Sequence, residues 1–148
     1  MKNIKVAIVG GGNISNTRHI PALKKASGAE IVGVLSNRLD RAKQTSEKHG
    51  IANYAKISDS ANDLKKIKWL NEVDAVAIGA PPHAHYGLVK QFLSIGKHVL
   101  VEKPMMMNKA ECDELIKLAK EKNKIFYVMH NFQYASKMEK LTEIIESK

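Results

Sequence analysis

The sequence predicts an α/β fold in three layers, with a doubly wound, mostly parallel sheet between two layers of helices. Two observations carry that prediction. Short apolar runs alternate with longer segments of helical period, and the first run ends in the turn Gly10-Gly11-Gly12. Near-continuous hydrophobicity, as in Asp74-Ala75-Val76-Ala77-Ile78-Gly79, suits a parallel strand covered on both faces. Strands alternating with helices of this length imply right-handed crossovers and a doubly wound sheet.

The elements follow in order. Strands are expected to begin at Ile4, Glu30, Ala75, His98 and Ile125. The first helix runs from Asn13 to about Lys25, with Pro21 bending it. A second spans about Leu39 to His49, where Gly50 is placed to end it. Leu88, Phe92 and Ile95 form an apolar stripe closed by Gly96. Asn108 followed by Glu111 reads as a capping box, after which Cys112, Leu115, Ile116 and Ala119 share one face. A last helix, about Ser136 to Glu146, carries Met138, Leu141, Ile144 and Ile145, an apolar side expected to be covered by a further domain. There is no internal repeat, low-complexity stretch or linker.

Composition narrows the function classes. A chain of 148 residues suffices for one domain with a buried core. Cys112 is the only cysteine, so no intrachain disulfide forms and a reducing compartment is expected. No signal peptide and no membrane span are read, which makes the expected location cytoplasmic. The formal net charge of +9 raises nucleic acid as a partner. Against it, the lysines are scattered along helix faces and aromatics are 5% of residues, too few for a stacking platform. The expectation is a solvated lysine-rich surface with neither nucleic-acid nor membrane partner. No histidine joins a cysteine or carboxylate cluster at ligand spacing, so no metal site is expected.

The turn after the first strand has the parts of a dinucleotide site: a tight turn, backbone that lets pyrophosphate approach, and a helix N-terminus. Gly10 and Gly12 lack the Cβ atoms that would block phosphates, and Asn13 and Ile14 open the helix. Ser15 stands where a third glycine is usual, and a small residue suffices there. The other reading of this segment is an ordinary strand-to-helix turn. About 20 residues on, an NAD site usually has an acid for the ribose 2′-hydroxyl. This chain has Ser36-Asn37-Arg38 and no acid until Asp40. Ser36, Asn37 and the Arg38 guanidinium could bind a 2′-phosphate, which favours NADP over NAD. Alternatively, Arg38 is a solvated residue opening a helix.

The glycine turn and the run Gly96-Lys97-His98-Val99-Leu100-Val101-Glu102-Lys103-Pro104 together resemble the glucose–fructose oxidoreductase, inositol dehydrogenase and rhizopine-catabolism (Gfo/Idh/MocA) family. The resemblance extends from about Ile4 to the last residue. It implies that residues 1–148 form an NAD(P)-binding Rossmann domain, with the family's C-terminal substrate domain absent from the chain. It implies Lys103 as the catalytic residue beside the nicotinamide, hydrogen-bonded to a substrate hydroxyl, and Glu102 reaching the cofactor ribose. An ammonium at that place would stabilise the developing alkoxide or polarise the ketone. The family pattern also suggests a cis Lys103-Pro104 bond. Its loop under the nicotinamide ribose matches Gly79-Ala80-Pro81-Pro82-His83-Ala84-His85, with Ala80, Pro81 and His85 at the cofactor. His85 serves either there or as a capping and packing residue. Asn131 matches a position near the carboxamide, and Gln133 falls where many members have arginine.

The implied activity is hydride transfer between the cofactor and a sugar or polyol hydroxyl, with little turnover by this chain alone. The alternative is a non-catalytic dinucleotide-sensing module of the same fold. A full-length form is expected to be a homo-oligomer, this piece a monomer.

Overall fold

The computed structural model describes residues 3–58, 60–131 and 135–147. Six strands form one parallel sheet: β1 (Ile4–Val9), β2 (Ala29–Ser36), β3 (Asn53–Lys56), β4 (Ala75–Ile78), β5 (His98–Glu102) and β6 (Phe126–Met129). Their order, β3-β2-β1-β4-β5-β6, reverses direction between β1 and β4. Gly10 and Gly79, at the carboxyl ends of these two strands, therefore flank the point where the topology switches.

Alternation along each strand builds two cores. Ala7 and Val9 of β1, with Val76 and Ile78 of β4, face one side and pack with Leu64, Phe92, Leu93 and Leu115. Val6 and Ile8, with Ala75 and Ala77, face the other and pack with Ile20, Ala42 and Ile51. Phe92 is fully buried, and truncating such a side chain costs about 3–5 kcal/mol. The first core is covered by α3 (Ala61–Lys65), α4 (His85–Ser94) and α5 (Lys109–Glu121), and the second by α1 (Ile20–Lys25) and α2 (Leu39–His49). A sixth helix, α6 (Ser136–Glu146), has no buried residue, and Met138, Leu141, Ile144 and Ile145 are exposed.

The caps follow the sequence. Gly50 takes the left-handed conformation at φ 62°, and Gly96 follows the end of α4 at φ 76°. The Asn108 side chain accepts from the Glu111 N–H at 3.0 Å. Three features differ from expectation, the added helix α3 being one. β3 is an additional strand: Asn53-Tyr54-Ala55-Lys56 is a short, partly polar edge, held by pairing with Gly33–Ser36 and by Asn53 Nδ2 donating to the Val32 carbonyl at 2.8 Å. The first helix is also not uniform. Ser15–His19 is a π-helical segment in which the Ile20 N–H bonds to the Ser15 carbonyl, and α1 begins after it. Pro21 has no N–H for the Thr17 carbonyl, so the hydrogen-bond register shifts just ahead of it. Among the described residues, no helix is long and apolar enough to cross a membrane.

Candidate functional site

A cavity of about 700 Å³ opens at the switch point, above the carboxyl ends of β1, β2 and β4. Of the residues singled out in the sequence, Gly10, Gly12, Asn13, Ile14, Ser36, Asn37, Ala80 and Pro81 line it. Gly10 and Gly12 do different work there. Gly10 has φ +100°, and a Cβ on it would lie 2.6 Å from the Gly79 carbonyl oxygen. Its bareness lets β1 and β4 end side by side, and so serves the fold. A Cβ on Gly12 would meet no protein atom within 4 Å, so this glycine leaves space at the cavity wall. Gly79 in turn admits the helix start, since a Cβ there would come within 2.6 Å of Ser15 Oγ and 2.9 Å of Ile14 Cγ2.

Five residues expected at the cofactor, Arg38, His85, Glu102, Lys103 and Asn131, do not line this cavity. The Arg38 guanidinium turns outward to Asp40, with Nη2 to Oδ2 at 2.5 Å, and does not line the cavity. The hydrogen bond from Arg38 holds the Asp40 carboxyl below its usual range. Arg41, one helical turn along at the start of α2, lines the cavity instead. It is the one formal charge among the described lining residues, in a wall without carboxylates. This arrangement suits a polyanion.

His85 is fully buried, its Nδ1 2.9 Å from the Pro104 carbonyl and its Nε2 2.9 Å from the Ala80 carbonyl. Both partners are acceptors, so a singly protonated ring donates to one of them at a time. Of the two roles read for it, the structure gives it packing. It ties the loop after β4 to the corner after β5, where the Lys103-Pro104 bond is cis. His83, two residues earlier, is the histidine that lines the cavity.

Glu102 is likewise engaged by protein. Its Oε1 lies 2.8 Å from Nε2 of the buried His19, and its Oε2 accepts from the Lys103 N–H at 3.3 Å. His19 reaches it from the end of the π-helical segment. Lys103 and Asn131 are exposed and lie outside the lining. Gln133 falls outside the described residues.

Sequence reasoning missed Arg41, Ser58, His83 and Gln91 as lining residues. Arg41 lies close enough in sequence to Ser36 to have been weighed with Arg38, because both begin α2. Ser58 follows the unexpected strand β3, and Gln91 sits on a helix, so neither had a local signal. Among the described residues, no cluster of histidine, cysteine and carboxylate groups could hold a metal ion.

The arrangement fits a dinucleotide. Open backbone at Gly12 admits phosphate, the helix start supplies N–H groups, and Arg41 supplies charge beside Ser36 and Asn37.

Comparison with known proteins agrees. Residues 4–130 match the model of the Gfo/Idh/MocA family, described as an oxidoreductase family with an NAD-binding Rossmann fold. An uncharacterized oxidoreductase of Synechocystis (sll0816) is 34% identical over 120 residues, which are 81% of this chain and 30% of that protein. The dTDP-3,4-didehydro-2,6-dideoxy-alpha-D-glucose 3-reductase of Actinomadura kijaniata is 29% identical across 88% of this chain and 37% of its own length. The crystal structure of KijD10, a 3-ketoreductase from the same organism in complex with NADP, superposes with a TM-score of 0.86 at 25% identity. It is matched across 99% of this chain and 44% of KijD10. The chain thus spans less than half the length of these relatives.

Proposed function

This chain belongs to the Gfo/Idh/MocA oxidoreductase family, and from that premise we propose that residues 1–148 bind NADP(H) across the switch-point cavity for hydride exchange with a sugar or polyol hydroxyl. The observation that carries the reading is the lining of that cavity, where the open wall at Gly12 faces Ser36, Asn37 and Arg41 without a carboxylate. A 2′-phosphate is accommodated by Arg41 in place of Arg38, whose guanidinium is already paired with Asp40. A carboxylate in this position would repel that phosphate, and Asp40, the next acid in sequence, is paired with Arg38.

When bound, the nicotinamide supplies the hydride carrier. The protein's contribution is orientation and charge. Glu102 is fixed by His19, the loop after β4 is tied to Pro104 by His85, and between them Lys103 presents its exposed ammonium at the end of β5. There it holds the hydroxyl proton's position and stabilises the alkoxide side of the reaction. On this reading the substrate pocket and the proton-transfer group fall in the part of the relatives' length that this chain does not span. The relative acting on a dTDP-linked ketosugar supports a carbohydrate substrate. We place the working protein in the cytoplasm as a homo-oligomer.

Parallel titrations of the chain with NADPH and NADH, followed by nicotinamide fluorescence, test the reading. NADPH binds more tightly, and Arg41→Ala narrows the difference while Arg38→Ala does not. Equal affinities for the two cofactors in the wild type would overturn the NADP assignment, and binding of neither would overturn the function.

A further inference from the structure

Two carbonyls of the glycine turn, those of Gly11 and Gly12, are held by one side chain. Asn16, half-buried in the π-helical segment, donates through Nδ2 to the Gly12 carbonyl at 2.9 Å and to the Gly11 carbonyl at 3.2 Å. The Asn16 backbone N–H adds a third donor, 3.1 Å from the Gly12 carbonyl. Thr45 of α2 donates to the Gly11 carbonyl at 3.3 Å. The two carbonyls only accept, so the amide must keep Nδ2 on them. Its Oδ1 then lies 2.9 Å from Nε2 of His49, which donates to it in the matching tautomer. His49 sits at the end of α2, where burial, Lys24 and Lys48 hold its pKa below the ordinary imidazole value.

A trans peptide is planar, with its C=O and N–H on opposite sides. Pinning the Gly11 carbonyl therefore directs the Gly12 N–H the other way, and pinning the Gly12 carbonyl does the same for the Asn13 N–H. Gly12 and Asn13 both line the cavity. A turn with three glycines in succession has many alternative backbone states, and free peptides in it would flip readily.

We propose that Asn16 is the positioning residue of the pyrophosphate turn: its amide holds the Gly11 and Gly12 carbonyls inward and keeps two N–H donors turned toward the dinucleotide's phosphates. Asn16 itself does not line the cavity. This inference rests on the dinucleotide reading above.

The test compares the wild-type chain with Asn16→Asp and Asn16→Ala. Asp keeps the size and the Oδ1 acceptor but places an oxygen against two carbonyls. NADPH and NADH are titrated into each, thermal unfolding is followed, and the Gly12 and Asn13 amide resonances are recorded in ¹⁵N spectra. The more tightly held dinucleotide should bind Asn16→Asp about tenfold more weakly. The two amide resonances should shift on binding in the wild type and shift less in both variants, whose unfolding stays cooperative. Wild-type chain that binds neither cofactor sinks the dinucleotide reading and this inference with it. Wild type that binds, with both variants within about twofold of it, sinks the role of Asn16 alone. So does loss of cooperative unfolding in both variants, since Asn16 would then hold the fold and not the turn.

Discussion

Replacing Gly10 and Gly12 separately by alanine should separate folding from binding within one turn. At Gly10 two costs combine. The residue has φ +100°, where an L side chain costs about 1–3 kcal/mol. The new Cβ would also meet backbone, the Gly79 oxygen at 2.6 Å and its carbon at 3.0 Å, with no flexible side chain to yield. Overpacking of that kind adds about 1–3 kcal/mol. Together they approach about 4 kcal/mol, which at about 2–4 °C per kcal/mol lowers Tm by roughly 8–16 °C. At Gly12 neither cost arises, since nothing lies within 4 Å of the added Cβ. Its Tm stays within about 4 °C of wild type, because removing a glycine's unfolded-state freedom contributes only about 0.4–1 kcal/mol. The Gly12 methyl instead occupies space that phosphate needs, and NADPH affinity falls about tenfold. Differential scanning calorimetry and fluorescence titration measure the two effects. Gly10→Ala that melts with wild type, or Gly12→Ala that binds NADPH as wild type does, would refute the reasoning.

Two further outcomes are expected. His85→Leu leaves the Pro104 and Ala80 carbonyls without their ring partner and should cost about 2–4 kcal/mol in urea unfolding, with NADPH binding weakened because the cavity-lining loop after β4 loses its tie to Pro104. His49 sets a pH dependence. Its folded pKa lies below the ordinary 6.5, chiefly through burial and then through Lys24 and Lys48, so the unfolded chain takes up the proton first as pH falls. The stability it contributes is whole above pH 6.5 and is lost as pH falls from there to the folded value. Chemical denaturation at pH 7 and pH 5.5 should show a smaller loss in His49→Gln than in wild type.

Much of the fold was legible because it rests on local patterns. The runs from Ile4, Ala75 and His98 are apolar enough to be buried on both faces, and Gly50, Gly96 and Asn108 mark helix ends by their own chemistry. β3 was not legible. Its four residues carry only half a buried pattern, and its stability comes from pairing with Gly33–Ser36, some 20 residues away. The glycine turn, Ser36 and the loop at Ala80 and Pro81 were legible as cavity residues because each lies at, or just after, the end of a strand that faces the cavity.

The sequence by itself determined the alternation of strands and helices, the place of the glycine turn and the corner at Lys103. These depend on side-chain type and on spacing within a few residues. Tertiary structure decided which groups line the cavity and which are bound by protein. Arg38 and Arg41 differ by a rotation about one helix start, which sends one to Asp40 and the other to the cavity. His85 and Glu102 are bound by partners 19 and 83 residues away, Pro104 and His19. No local pattern encodes those contacts, because they exist only once the crossovers bring the carboxyl ends of β1, β4 and β5 together.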